Sequence, residues 1–173
     1  MDNPVLKAIS DRRSIRSYKD EKVTRAQLDI LLKAAAEAPS ARNLQPWHFS
    51  VVQDKALLAE IHGEVVSILK EDMGNIFQGA GTVIFLSCDP SSKWARVDCG
   101  IAVQNIALAA HSIGLGSVIL GRPDPAFNGP KAEQFRSVLK FPAGYNFVIA
   151  IAIGVPAGTK EAHPIEAGRV SFV

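Results

Sequence analysis

Apolar residues are spaced helically in some stretches of this chain and run unbroken in others, and the two patterns predict different elements. Pro4, Val5, Leu6 and Ile9 predict a short first helix ending near the basic run Arg12–Lys19. Thr24-Arg25-Ala26-Gln27 has the spacing of a capping box, and the helix predicted over Leu28–Ala38 is stopped by Pro39. Asp54 is placed to cap a helix running towards Met73, and Lys131–Leu139 predicts another. Ile101–Ile113 is apolar on nearly every side, so its helix must be buried on several sides. Its alanines would admit a second backbone closely, which suits a subunit interface.

Unbroken apolar runs predict strands at Trp47–Val52, Thr82–Ser87, Ser117–Leu120 and Phe147–Ile153. The last is apolar at every position and is therefore expected in the middle of a sheet. Gly154–Val173 has little core-forming periodicity, so that tail is expected to be ordered only where something ties it down, such as a partner subunit. Strands and helices alternate irregularly, which favours a layered α+β fold over a regular βαβ series.

Composition changes this picture little. With 173 residues and no linker or repeat, residues 1–173 read as a single domain. A net charge of +2 implies no strong field for nucleic acid or a membrane, and with no run long enough to span a bilayer the expected location is the cytoplasm. Cys88 and Cys99 lack the spacing of a disulfide framework or metal cage and are expected reduced, in or near the core. His48, His62, His111 and His163 are scattered and also lack metal-ligand spacing.

Two segments carry candidate chemistry. Arg12-Arg13-Ser14-Ile15-Arg16 sets three guanidiniums and a hydroxyl within five residues. That is either a solvated basic turn or a phosphate clamp, since arginine's planar fork grips phosphate oxygens in pairs. Pro39-Ser40-Ala41-Arg42-Asn43-Leu44-Gln45-Pro46 is a loop stiffened by prolines at both ends. It holds Ser40, Asn43 and Gln45 in a fixed presentation, and amide groups suit a heterocycle edge that both donates and accepts. An ordinary helix-to-strand connection would use similar residues for backbone reasons. Trp94 is open to two readings, packing or a place near an acceptor pocket, and Phe127–Pro130 are candidates for shaping access.

The blocks Arg12–Tyr18, Ala38–Phe49 and Gly100–Ala110, the last leading to Gly114–Ser117, resemble in order and spacing a short form of the nitroreductase family. The resemblance spans almost the whole chain. It implies a nitroreductase-like α+β fold, with a mainly antiparallel sheet flanked by helices in an intertwined homodimer. It also implies FMN as a non-covalent cofactor, NADH or NADPH as co-substrate, and ping-pong hydride transfer to a small organic acceptor such as a nitroaromatic or quinone. No side chain is then required as nucleophile or base. By position, Arg12, Arg13, Ser14 and Arg16 match the segment that binds the ribityl phosphate and one flavin edge, and Asn43, with Gln45 beside it, matches an amide contact to the flavin. Pro39, Ser40 and Ala41 match a stretch reaching the flavin of the other subunit. Ile119, Leu120 and Gly121 fall where a backbone N–H meets flavin N5, and Leu120 stands where an acidic residue is common. Lys160 matches a phosphate-binding residue, whereas Ala162 occupies the place of a second cation, with His163 beside it, so weaker FMN binding is expected. A specialised reductase (of enones, free flavin or halogenated aromatics) and a flavin-binding regulator without turnover are the alternatives.

Overall fold

The computed structural model describes residues 3–71, 73–164 and 166–173. Five α-helices and four strands follow the predicted order. Helix α1 (Pro4–Asp11) starts with Asn3, whose side chain accepts from the N–H groups of Val5 and Leu6 at 2.9 and 3.1 Å. Helix α2 (Arg25–Ala36) opens on the Thr24–Gln27 capping box in reciprocal form, which satisfies two otherwise orphaned donors.

Strand β1 (Trp47–Val52) has the predicted bounds. Asp54 caps α3 (Lys55–Leu69), which ends short of Met73 because Lys70 turns left-handed at φ 55°. Strand β2 (Thr82–Cys88) precedes α4 (Ala95–Ser112), β3 (Gly116–Leu120), α5 (Ala132–Val138) and β4 (Asn146–Gly154). Helix α4 begins six residues before the apolar stretch, at Ala95 rather than Ile101, because its mixed first turn Ala95-Arg96-Val97-Asp98 shows no helical apolar spacing.

The sheet order is β1-β2-β4-β3, with every neighbouring pair antiparallel. Strand β4, apolar from Phe147 to Ile153, is flanked on both sides, as its pattern predicts. Side chains on β2 alternate between two cores. Ile84, Leu86 and Cys88 face α2 and α4, while Val83 and Phe85 face the opposite layer. In β4, Ile151 and Ile153 join the first core and Ala150 and Ala152 the second. A bulge where Leu86 pairs with Ile149 and Ser87 with Phe147 leaves Val148 as the extra residue. It swings Phe147 onto the face of the small Ala150 and Ala152, and there a phenylalanine cluster fills the space. Phe127 lies at its centre, stacked on Phe147 at 4.5 Å and on Phe141 at 5.5 Å between ring centroids.

Ser14–Lys19 runs as a strap along the edge of β3 and past the end of β4. The Ile15 N–H donates to Ser117 O at 2.9 Å, and the Lys19 N–H to Val155 O at 2.9 Å. The strap lies so close that a Cβ on Gly116 would sit 3.0 Å from Ile15 Cβ, and one on Gly154 would sit 2.9 Å from Tyr18 Cδ1. Just past β4 the Ala157 N–H donates to Ser17 O at 3.0 Å, and from Ala157 onward the described tail residues are exposed. Among the described residues, no helix is long and apolar enough to cross a membrane.

Phe127, only 1% exposed, was a candidate for shaping access and is instead a core residue. Phe127→Ala should cost about 3–5 kcal/mol through lost burial and the cavity left behind. The midpoint of denaturant unfolding measures it.

Candidate functional site

Arg12 and Arg13 close the C-terminal end of α1, and Lys160 approaches them from the tail. The three together line two adjoining recesses of about 450 and 470 Å3. Asp11, His111, Gly116 and Ser117 contribute to the first recess, and Ser14, Ala162 and His163 to the second. Residues almost 150 positions apart in sequence thus meet in one basic cleft, because the strap and the tail cross the same sheet edge.

The two arginines are in different states. Arg13 Nη1 donates to Ser10 O at 2.5 Å and to Arg12 O at 2.9 Å, so part of its fork serves the helix end. Arg12 Nε is buried and has no hydrogen-bond partner among the described residues. A buried donor without an acceptor is costly. Arg16 lines neither recess; it is exposed and its Nη1 donates to Ser14 O at 3.3 Å. Burial pushes the Tyr18 phenol well above its ordinary range, so Tyr18 stays neutral, and its hydroxyl donates to Ile15 O at 2.7 Å.

The proline-bracketed loop is strained. Arg42, Asn43 and Gln45 hold φ of 56°, 56° and 47°, a region that residues with a Cβ seldom enter. Internal bonds support it: the Gln45 N–H donates to Ser40 Oγ at 3.0 Å, and Gln45 Nε2 to Asn43 Oδ1 at 3.0 Å. Asn43 and Gln45 are exposed, so their remaining polar capacity faces outward. None of Pro39, Ser40, Ala41, Asn43 and Gln45 lines the basic recesses, so one chain does not unite the loop with the arginines.

Ile119, Leu120 and Gly121 lie at the end of β3 away from Gly116, and also outside those recesses. The Leu120 side chain is buried in the phenylalanine core and Ile119 packs against the opposite core. What these positions can offer a ligand is therefore backbone, and a leucine in place of an acidic residue changes little there. Trp94 is 53% exposed and lies under Lys93 Nζ at 5.2 Å, so it is no core residue of the single chain.

Sequence reasoning missed His111 and Asp98. His111 sits at the end of α4 and enters the cleft only through the fold. Asp98 accepts the Ala41 N–H at 3.2 Å from inside the protein, at 3% exposure. Its place in the mixed first turn of α4, Ala95-Arg96-Val97-Asp98, carried no local signal.

With this geometry established, comparison with known proteins places the chain. The profile of the Nitroreductase family matches residues 9–155. A protein of Archaeoglobus fulgidus, provisionally named an NADH dehydrogenase/NAD(P)H nitroreductase, is 35% identical over 165 residues, covering 90% of this chain and 87% of its own. The FMN reductase [NAD(P)H] of Bacillus subtilis is 31% identical, covering 94% of this chain and 70% of its own. The crystal structure of a nitroreductase with bound FMN from Desulfitobacterium hafniense superposes with a TM-score of 0.93 at 34% identity, covering 100% of both chains. The chain belongs to the nitroreductase family.

The cysteines lie apart from the cleft. Both are free and buried, and burial pushes the Cys99 thiol up to about 12 and raises Cys88 as well. The thiolate is the reactive form, so a raised value suppresses reaction at neutral pH. A colourimetric thiol reagent at pH 8 should label the native protein far more slowly than the unfolded protein. Prompt labelling of either cysteine in the native state would contradict this placement.

Proposed function

We propose that this chain is an FMN-dependent oxidoreductase, working as a homodimer and passing hydride from NADH or NADPH to a small organic acceptor such as a nitroaromatic or quinone. The observation that carries the reading is the convergence of Arg12, Arg13 and Lys160 on one cleft. A phosphate monoester fits that donor set, because guanidinium and ammonium groups bind it by charge-assisted hydrogen bonds. The FMN-bound family member from Desulfitobacterium hafniense, alike over its full length, supports the same choice of ligand.

When bound, the flavin supplies the redox centre, taking up hydride at N5 and releasing it to the acceptor. The protein holds and orients it. Arg12, Arg13, Ser14 and Lys160 would take the phosphate, and Arg16, outside the recesses, would meet one flavin edge. Asn43 and Gln45 offer amides to the ring, and Pro39, Ser40 and Ala41 of each protomer serve its partner's flavin. The backbone at Ile119–Gly121 would be the part of β3 offered to the ring. Ala162 leaves the tail with one lysine at the cleft, so FMN is held more weakly than low nanomolar at moderate salt.

Dimerisation explains apolar surface that one chain leaves uncovered. Helix α1 buries none of its residues, and Val5, Leu6 and Ile9 are 63%, 58% and 52% exposed. Leu44 at the loop, Val97 on α4 and Phe172 in the tail are also exposed. A second copy would cover these faces and bring its loop to the cleft, completing a site of which one chain holds half. A chain ending at His163 should elute as a monomer where the full chain elutes as a dimer; unchanged elution would remove the tail from the interface.

The test of activity is the absorbance spectrum after incubation with FMN and gel filtration, followed by anaerobic NADH or NADPH. Flavin bands should co-elute with protein and bleach on addition of nicotinamide. Bound flavin that never bleaches would mark a binding protein without turnover, and absence of bound flavin would overturn the reading. Arg12→Ala and Lys160→Ala should each weaken FMN by about tenfold or more, the value of a charge-assisted hydrogen bond. Riboflavin, which lacks the phosphate, should bind nearly as before.

A further inference from the structure

Helix α4 carries Asp98 and Asn105 seven residues apart, two turns along, and hence on the same side. Asn105 Nδ2 donates to Ala34 O, near the end of α2, at 3.0 Å. Asp98 Oδ1 accepts the Ala41 N–H at 3.2 Å, at the start of the strained loop. The far end of the loop is held by Pro46 O, which accepts the Asp89 N–H at 3.0 Å. All three left-handed residues, Arg42, Asn43 and Gln45, lie between these two anchors.

Asp98 is an unusual anchor. It is only 3% exposed, and its second oxygen, Oδ2, is buried with no hydrogen-bond partner among the described residues. A buried acceptor left without a donor opposes folding. An apolar residue would suit so buried a position better, so the carboxylate has its use in the bond to the loop.

We propose that Asp98 is the positioning residue of the flavin-contacting loop. From inside the protein it fixes Ala41, and so holds Arg42–Gln45 in the left-handed conformation that presents Asn43 and Gln45 outward. This rests on the reading above that the loop meets the flavin.

The test uses Asp98→Ala, Asp98→Asn and, for the loop itself, Asn43→Ala, with three readouts. These are the rate of trypsin cleavage after Arg42 in the cofactor-free protein, the FMN dissociation constant by fluorescence quenching, and the thermal midpoint. Asp98→Ala should speed cleavage at Arg42 and weaken FMN, each by about tenfold. Its thermal midpoint should stay within about 3 °C of wild type, since the orphaned oxygen goes with the side chain. Asp98→Asn keeps a carbonyl oxygen for the Ala41 N–H and should restore slow cleavage and most of the affinity. Asn43→Ala should weaken FMN; because it also removes the acceptor of Gln45 Nε2, cleavage at Arg42 is compared only between the Asp98 variants and wild type.

If Asn43→Ala weakens FMN while Asp98→Ala changes neither cleavage nor affinity, the proposal is overturned and the loop reading survives. A fall in midpoint together with affinity in both Asp98 variants would assign the residue to general stability and likewise overturn it. If FMN affinity is unchanged in Asn43→Ala and Asp98→Ala alike, the loop does not meet the flavin, and proposal and reading fall together.

Discussion

Both faces of β2 and β4 are apolar, and the rest of the molecule is arranged around covering them. Two apolar faces require two layers. Helices α2 and α4 form one, while α3, α5 and the phenylalanine cluster form the other. Once these are placed, only the edges of the sheet and the chain ends remain free for chemistry. The β3 edge takes the Ser14–Lys19 strap, which delivers Arg12 and Arg13, and the chain leaving β4 passes the same corner with Lys160. The basic cleft is thus a product of how the sheet is closed off, and no element exists solely to build it.

Part of the local cost in the structure falls at the cleft and the loop. Arg12 Nε and Asp98 Oδ2 are among the few buried polar atoms without partners, and three left-handed residues crowd into one loop. A chain selected for stability alone would avoid each of these. One stands at the basic cleft, one beneath the loop and the strain within the loop itself. Elsewhere Ser87 Oγ, His62 Nδ1 and Arg136 Nε are likewise unpaired among the described residues, and Lys70, Gln78 and Lys140 are also left-handed, so such costs accompany the cleft and the loop without being confined to them.

Much of the fold is legible in the sequence, since its signals are local. Trp47–Val52 is bounded by Pro46 and by the polar Gln53-Asp54, and the Thr24–Gln27 box marks the start of α2 outright. The central place of β4 follows from an unbroken run of apolar residues. Boundaries fail where the deciding event is not a matter of side-chain type. Lys70 ends α3 by a backbone turn, and the mixed first turn of α4 hides its start. Phe127 reads as a loop residue until the bulge at Val148 shows where the aromatic layer lies. The site is less legible. Arg12–Arg16 and Lys160 have no sequence relation until the sheet brings them together, and only the family resemblance pairs them. Asp98 acts from inside, and no local pattern separates it from any other acid on a helix.

The crossing of strap and tail has one more consequence. Near the cleft, the segments bearing Arg12 and Lys160 are tied by few bonds, among them the one between Ala157 and Ser17. An anion gripped from both sides would act as a non-covalent staple between the two ends of the polypeptide, closing most of the chain into a loop. Detachment of the N-terminal helix, release of the tail and escape of the anion would then be one equilibrium rather than three. Fraying would couple to ligand concentration through mass action. The ends of this protein, ordinarily the first parts of a domain to loosen, would gain their order from the molecule they hold.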